Sequence, residues 1–208
     1  MNRTQEFRTG ECVTAAIRSV YPADLPALRD FFEGLSLQTR YLRFFGPVTP
    51  TAALLDLLCG RADNVHAVVA VAGGVIVGHA MAVDLAEPGD PGDPANPRDP
   101  GQTWTADIGV MVTDAWQGQG IGSALMRAVV ARAEIRGVTS LAMDVLHGNR
   151  RVLNMIIRRW PQASIDQSRD SLGIRVQLPR YQPPPPPPVP LPAGPAARPA
   201  RPLVALGR

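Results

Sequence analysis

The chain has few of the residues that build covalent, metal or lysine-dependent sites. Its 208 residues include two cysteines, three histidines and no lysine, and arginine supplies all 21 basic side chains. Cys12 falls at an expected flexible edge and Cys59 at an expected helix end, so a disulfide has little support. The histidines, His66, His79 and His147, form no ligand cluster, and we predict no metal site. The missing lysine excludes a Walker loop, which ends in Gly-Lys-Ser/Thr.

The sequence also lacks a long hydrophobic run. No apolar stretch is long enough to span a bilayer. The first six residues, Met-Asn-Arg-Thr-Gln-Glu, lack the hydrophobic core of a signal peptide. We therefore expect a cytoplasmic protein with no membrane partner.

The formal net charge of +3 is unevenly distributed along the chain. Residues 179–208 hold four arginines and no acidic residue, which leaves 17 arginines against all 18 acidic residues elsewhere, a formal charge of −1. A nearly neutral folded part does not offer the basic surface that nucleic acid requires. We predict no nucleic-acid partner.

Proline-rich segments set the expected domain limits. Six consecutive prolines occupy 183–188, and five more recur at every third residue from Pro88 to Pro100. Such segments favour polyproline II or disorder over helix and sheet. The full sequence is 45% hydrophobic and 19% charged, a composition that suits one globular domain outside these segments. We expect a flexible N-terminus at 1–12, a domain at 13–178 with a Pro/Gly-rich insertion loop at 86–103, and a disordered proline-rich tail at 179–208.

A glycine-rich turn in the middle of the chain is the strongest functional signal. Residues 107–112 have the pattern of a strand, residues 117–122 read Gln-Gly-Gln-Gly-Ile-Gly, and an amphipathic helix follows. A strand, a glycine turn and a helix start direct unpaired backbone N–H groups to one point, where they can hold an anion such as a pyrophosphate. A dinucleotide fingerprint would need its third glycine where Ser123 stands. An ordinary glycine turn before a helix is the alternative.

With Gln117, Gly120 and Gly122 in register, the turn matches Q-x-x-G-x-G, and here the chain resembles the GCN5-related N-acetyltransferase (GNAT) superfamily. The resemblance implies that the loop amides grip the pyrophosphate of acetyl-CoA, the co-substrate, and that the preceding strand pairs with its pantetheine arm. Residues 35–45 and 106–112 are most similar to the catalytic domain of bacterial protein lysine acetyltransferases. The residues that the resemblance assigns to acetyl-CoA binding are Val110, Met111, Val112, Gln117, Gly118, Gln119, Gly120, Ile121, Gly122, Ser123 and Asn149.

The remaining patterns follow the same fold order. They predict a strand at 14–20, helices at 22–34 and 36–45, and a hairpin at 65–71 and 75–84. After the loop they predict a helix ending at Gly137, a strand at 138–146, and a helix from Asn149 to about Arg159. We predict an α/β (α+β) GNAT fold, with a mixed, mostly antiparallel central sheet of six to seven strands flanked by about four helices.

Transfer to an amine requires a base, because an alkyl ammonium group with a pKa of about 10.4 is unreactive until it loses a proton. Asp107 is our candidate catalytic residue, since the resembled lysine acetyltransferases carry Glu at its position as the base. A strand-end carboxylate paired with an arginine is the alternative. Asp144 is a second candidate, and His79 is interpreted as a packed strand residue. For Asn149, an ordinary helix N-cap is the alternative to a coenzyme A contact.

One family feature is missing. Many members carry a Tyr two turns into the helix that Asn149 begins, where it protonates the departing sulfur, whereas this chain has Met155 in that neighbourhood. As a whole, the resemblance implies an N-acetyltransferase that transfers acetyl from acetyl-CoA to a primary amine of a small molecule or a protein lysine. The alternative is a catalytically silent acyl-CoA-binding or regulatory module of the same fold.

Overall fold

The computed structural model describes residues 3–5, 14–85 and 104–179. The expected insertion loop at 86–103 lies outside the described residues. So does the expected tail, apart from its first residue.

One mixed sheet forms the centre of the described structure. Its eight strands lie in the order β1-β2-β3-β4-β5-β6-β8-β7. Every neighbouring pair is antiparallel except β5 with β6, so the predicted fold class is confirmed. The strands are β1 (Arg3–Gln5), β2 (Ala15–Ser19), β3 (Val65–Ala72), β4 (Val75–Leu85), β5 (Thr105–Val112), β6 (Ser140–Leu146), β7 (Ser164–Gln167) and β8 (Ser171–Gln177).

Five α-helices flank the sheet in the described part of the chain. Ser36 and Thr51 cap two of them by accepting hydrogen bonds from the backbone N–H groups of Thr39 and Leu54. None of the helices is long and apolar enough to cross a membrane. They are α1 (Leu25–Glu33), α2 (Leu37–Phe44), α3 (Ala52–Leu58), α4 (Ile121–Ile135) and α5 (Arg150–Arg159).

The core lies in two layers, one on each face of the sheet. Helix α4 buries Ile121, Leu125 and Val129 in one cluster. On the other face α1 buries Leu28 and Phe32 in a second cluster. Alternate residues of the central strands belong to opposite clusters, because successive strand side chains point to opposite faces.

The structure adds three strands that the sequence patterns did not predict, and a helix, α3, of which they indicated only the end near Cys59. Helix α3 has seven residues, and all four residues of β7 are exposed, so neither shows a clear amphipathic period. Strand β8 pairs with both β6 and β7. Strand β1 lies within the segment that we expected to be flexible, yet its three residues pair with β2. Pairing supplies partners to backbone groups that the edge of β2 would otherwise leave open.

His79 is a packed strand residue, as its surroundings in β4 suggested. The side chain is fully buried, and its Nε2 lies 2.8 Å from the backbone oxygen of Leu58. Burial lowers the pKa of His79 to about 4, and the hydrogen bond to Leu58 only partly offsets this. The native state therefore holds the ring neutral, with Nε2–H as the donor to Leu58.

We expect His79→Gln to flatten the pH dependence of stability between pH 7 and pH 4. The pKa in the unfolded chain is near 6.5, so below that pH the unfolded state binds the extra proton and the parent protein loses stability as pH falls towards 4. Glutamine keeps a donor for Leu58 and does not titrate. Denaturant unfolding should show the parent losing about 3 kcal/mol more than the variant. Parallel curves for the two proteins would contradict the assignment.

Candidate active site

The site begins where β5 and β6 separate. The two parallel strands pair only between residues 105–107 and 140–142. Beyond that point β5 remains bound to β4, and β6 remains bound to β8. The inner edge of β5 at 108–112 is therefore free of a neighbouring strand. An extended ligand can hydrogen-bond to this edge in the way that an added β-strand would.

A groove of about 640 Å³ opens at this separation. Its walls come from β5 and β6, the loop at 117–122, α2, the start of α4 and much of α5. The predicted binding residues that line it are Val110, Met111, Val112, Gln117, Gly118, Gly120, Gly122, Ser123 and Asn149.

Three predicted site residues do not line the groove. Gln119 donates its amide to the backbone oxygen of Ala115. The side chain of Ile121 is buried in the core. Asp107 lies on β5 but is not among the lining residues. Their roles remain predictions.

The glycine loop leaves the start of α4 bare. Gly118 and Gly120 have φ angles of 80° and 86°, in the left-handed region that favours glycine. Gly120 is the N-cap of α4 and has no side chain to cap it, and the helix's first backbone hydrogen bond runs from Ala124 N–H to Gly120 O. The N–H groups of the three residues between them have no acceptor within the helix. They fit the oxygens of a pyrophosphate.

Gln117 joins the loop to three elements. Its amide nitrogen donates to the Thr39 hydroxyl of α2 and to the Val112 carbonyl at the end of β5, both at 3.0 Å. Its amide oxygen accepts from Arg151 of α5 at 2.8 Å. All of the hydrogen-bonding groups of this side chain are therefore engaged in holding the loop against both walls of the groove.

Asp114 extends this network under the loop. Its carboxylate accepts hydrogen bonds from the hydroxyl groups of Ser36 and Thr39, both at 2.9 Å, and from the backbone N–H of Ser36. Burial acts to raise the pKa of Asp114, but these hydrogen bonds outweigh it and the pKa is lowered. The network thus ties the start of α2 to the loop before α4.

The groove is strongly basic although the sequence without its tail is nearly neutral. Among the described lining residues only Asp144 is acidic. This concentration of positive charge does not show in the formal charge of the domain, because acidic residues elsewhere in the sequence cancel it. The paired arginines at both ends of α5 were the available signal. The lining arginines are Arg43, Arg127, Arg151, Arg158 and Arg159.

A cluster of one arginine and two carboxylates lies on the α2 side of the sheet. Burial raises the pKa of Asp107, the positive charge of Arg43 opposes this rise, and the negative charge of Asp144 adds to it. Burial also lowers the pKa of Arg43, and Asp107 offsets part of that change. Arg43 and Asp144 line the groove, whereas Asp107 does not. Asp107 therefore interacts electrostatically with two groups that line the groove.

Arg43 owes its position to a missing side chain on β5. A Cβ atom built on Gly109 would overlap the Arg43 guanidinium. Gly109 therefore lets the arginine cross the strand closely at the level of the groove. Arg43 lies in the segment at 35–45 that carries part of the family resemblance, but no function was predicted for it from the sequence.

Two residues of α5 and its cap complete the groove. The Asn149 side chain accepts a hydrogen bond from Val152 N–H at 3.3 Å, so it is an N-cap, as one of the two interpretations had it. Asn149 also lines the groove, and its contact with coenzyme A remains a prediction. Met155 lines the groove in the neighbourhood where the family often has Tyr.

Comparison with solved structures gives a consistent class for this fold and groove. The GNAT domain of S. lividans PAT is 22% identical with a TM-score of 0.68, over 85% of this chain and 97% of that one. The structure of yncA from Salmonella typhimurium with its cofactor acetyl-CoA is 17% identical with a TM-score of 0.59, over 80% and 95%. A cAMP-binding acyltransferase from Mycobacterium smegmatis is 25% identical with a TM-score of 0.52, over 86% and 48%. A search of curated protein sequences found no match.

The fold is thus one that solved GNAT domains and acyltransferases share. The model of the acetyltransferase (GNAT) family matches residues 31–158, which is more than half of the chain. The chain belongs to the GNAT family, as the sequence predicted. It is an acyl-CoA-dependent acyltransferase, and acetyl-CoA is its co-substrate.

We expect Gly109→Ala to destabilise the protein by about 1–3 kcal/mol, because the added methyl group must displace the Arg43 guanidinium. Gly46→Ala is the matched control, since a Cβ there meets nothing within 4 Å. In an Arg43→Ala background the cost of Gly109→Ala should largely disappear, which a double-mutant cycle from denaturant unfolding measures. Additive effects of the two substitutions would show that the arginine does not occupy this space.

Proposed function

We propose that this protein transfers the acetyl group of acetyl-CoA to a primary amine, of a small molecule or of a protein lysine. The observation that carries the proposal is the groove between the separated ends of β5 and β6, with bare helix amides at one end and two carboxylates beside it. The first feature suits the anionic co-substrate. The second suits a cationic acceptor.

The chain's own groups divide the work of holding acetyl-CoA. The N–H groups at the start of α4 and the glycine loop hold the pyrophosphate, and the free edge of β5 pairs with the pantetheine arm. The arginines of α4 and α5 provide the positive potential that draws the phosphates into the groove. Acetyl-CoA supplies the acetyl group as an activated thioester.

The carboxylates recruit and deprotonate the acceptor. Asp144 is exposed on the groove wall, where its charge attracts an ammonium group. Asp107 accepts the proton, directly or through water, because the raised pKa of its buried carboxyl makes it a better base near neutral pH. The positive charge of Arg43 opposes that rise in pKa and so favours the carboxylate form, which is the form that accepts a proton.

No tyrosine serves as the acid in this proposal. Met155, on the groove wall, has no exchangeable proton, and we assign to water the proton that balances the reaction. The similarity of the fold to the GNAT domain of S. lividans PAT and to the M. smegmatis acyltransferase supports acyl transfer. It leaves both kinds of amine acceptor within the proposal.

We expect Gly122→Asp to abolish the stabilisation of the protein by coenzyme A without harming the free protein. A Cβ at Gly122 makes only ordinary contacts, at 3.7 Å from Val112 and 4.0 Å from Met155, and an acidic residue in the first turn favours the helix. The new charge repels the pyrophosphate. In a thermal-shift assay the parent gains about 2.7 kcal/mol at 100 times the dissociation constant.

Ala52→Asp is the matched control, since it places the same charge in the first turn of α3, away from the groove. It should keep the full shift. An equal shift in Gly122→Asp and the parent would refute the loop assignment.

We expect Asp107→Asn to reduce turnover about 10² to 10⁴-fold while sparing the coenzyme A shift, because asparagine keeps the size of the side chain but cannot accept the proton. The deficit should shrink as pH rises towards the pKa of the acceptor amine. Turnover is measured as the release of free thiol from acetyl-CoA. Polyamines, antibiotics and lysine peptides are the acceptors.

Asp144→Asn is the companion variant, and its expected main effect is a higher KM for the cationic acceptor. Normal turnover in Asp107→Asn together with a large loss in Asp144→Asn would transfer the role of base to Asp144. A parent protein that binds coenzyme A yet acetylates no amine in the screen would overturn the proposed function.

A further inference from the structure

A second, smaller pocket of about 220 Å³ lies on the part of α4 far from the glycine loop. It shares no lining residue with the groove. Its walls come from the end of β2, the start of β3, the end of α3 and the C-terminal part of α4. Two arginines, Arg132 and Arg136, and His66 are among the residues that line it.

Arg136 of the pocket, and Arg18 on the neighbouring strand β2, already hold carboxylates. Arg18 makes two hydrogen bonds to Asp24, at 2.6 and 2.8 Å. Arg136 makes two to Asp84, at 3.1 and 2.8 Å. His66 Nε2 lies 3.3 Å from the same Asp84 carboxylate. The carboxylates of Asp24 and Asp84 are therefore already engaged.

Arg132 differs from these arginines. No ion pair joins it to a carboxylate among the described residues. Its Nη1 is buried and has no hydrogen-bond acceptor there. Burial lowers the pKa of Arg132, the neighbouring Arg136 lowers it further, and only Tyr21 acts to raise it. A buried donor without an acceptor costs about 1–3 kcal/mol, and more when it is charged.

A favourable interaction with the C-terminal dipole of α4 does not account for this arrangement. Arg132 lies in the last turn of the helix, where a positive charge is favourable. However, a guanidinium that served this purpose alone would be free to point its donors at water or at the last carbonyl groups. Nη1 is instead buried beside a pocket that has room for several water-sized groups.

We propose that this pocket binds an oxyanion of phosphate size, either inorganic phosphate or the phosphate group of a small metabolite, with Arg132 as its principal partner. The ligand brings the acceptors and the negative charge that Arg132 lacks. Arg136 remains paired with Asp84 and adds its positive charge to the pocket. Ser19 lines the pocket on the β2 side. The site is separate from the groove for acetyl-CoA.

The test is a thermal-shift titration of the full chain with sodium phosphate, against sodium chloride at equal ionic strength, with coenzyme A saturating so that the groove is filled. We expect a saturable rise in Tm with phosphate alone, roughly 3–6 °C at ten times its dissociation constant. Arg132→Met keeps the apolar stem and removes the guanidinium. It should match or exceed the parent's Tm in chloride and show no phosphate-dependent rise.

Arg29→Met is the matched control, because it removes one positive charge from an exposed position on α1. It should keep the phosphate-dependent rise. Arg132→Lys keeps the charge on a single donor group and should shift the titration to about tenfold higher phosphate. A parent protein without a saturable rise, or an equal rise in Arg132→Met, would overturn the proposal. So would failure of both Arg132 variants to fold, because that result would mean the guanidinium is already paired within the protein.

Discussion

The unpaired inner edge of β5 is the constraint on which the site depends. Pairing with β6 ends after three residues, yet β4 holds β5 along its whole length and β8 holds β6. The open edge can therefore exist without loss of the sheet. The edge of β5 at 108–112, which β6 does not cover, forms one side of the groove, and the loop that follows it places the bare start of α4 at the end of the same edge.

Positively charged side chains are concentrated at particular sites of this molecule. The groove gathers five arginines and one carboxylate, whereas the sequence without its tail is nearly neutral. In the groove the arginines line the walls, and their positive charge suits an anionic co-substrate. Asp107 stands behind Arg43 and Asp144, so its protonation is governed by burial and by two neighbouring charges of opposite sign. At the far part of α4, Asp84 holds Arg136, whereas the buried Nη1 of Arg132 has no acceptor among the described residues.

Much of the fold was predictable because its main elements have strong local signals. The hairpin of β3 and β4, the capped start of α2 and the glycine turn before α4 each follow from residues close in sequence. The missed elements lack such signals. Strand β7 is exposed on both faces, α3 is short, and β1 forms a strand through its partner β2. Their structure depends on contacts between distant residues.

The sequence by itself determined the family, the order of the elements with strong local patterns and the glycine loop before α4, because a positive φ at Gly118 and Gly120 and an uncapped helix start are local properties. Only the tertiary structure decided which charges share a site. Arg43 reaches β5 because Gly109 has no side chain, and Gln117 connects α2 to α5 across residues far apart in the chain. Arg132 is left unpaired because its neighbours' carboxylates are engaged elsewhere. Such pairings depend on distances that appear only when the sheet and its helices have packed.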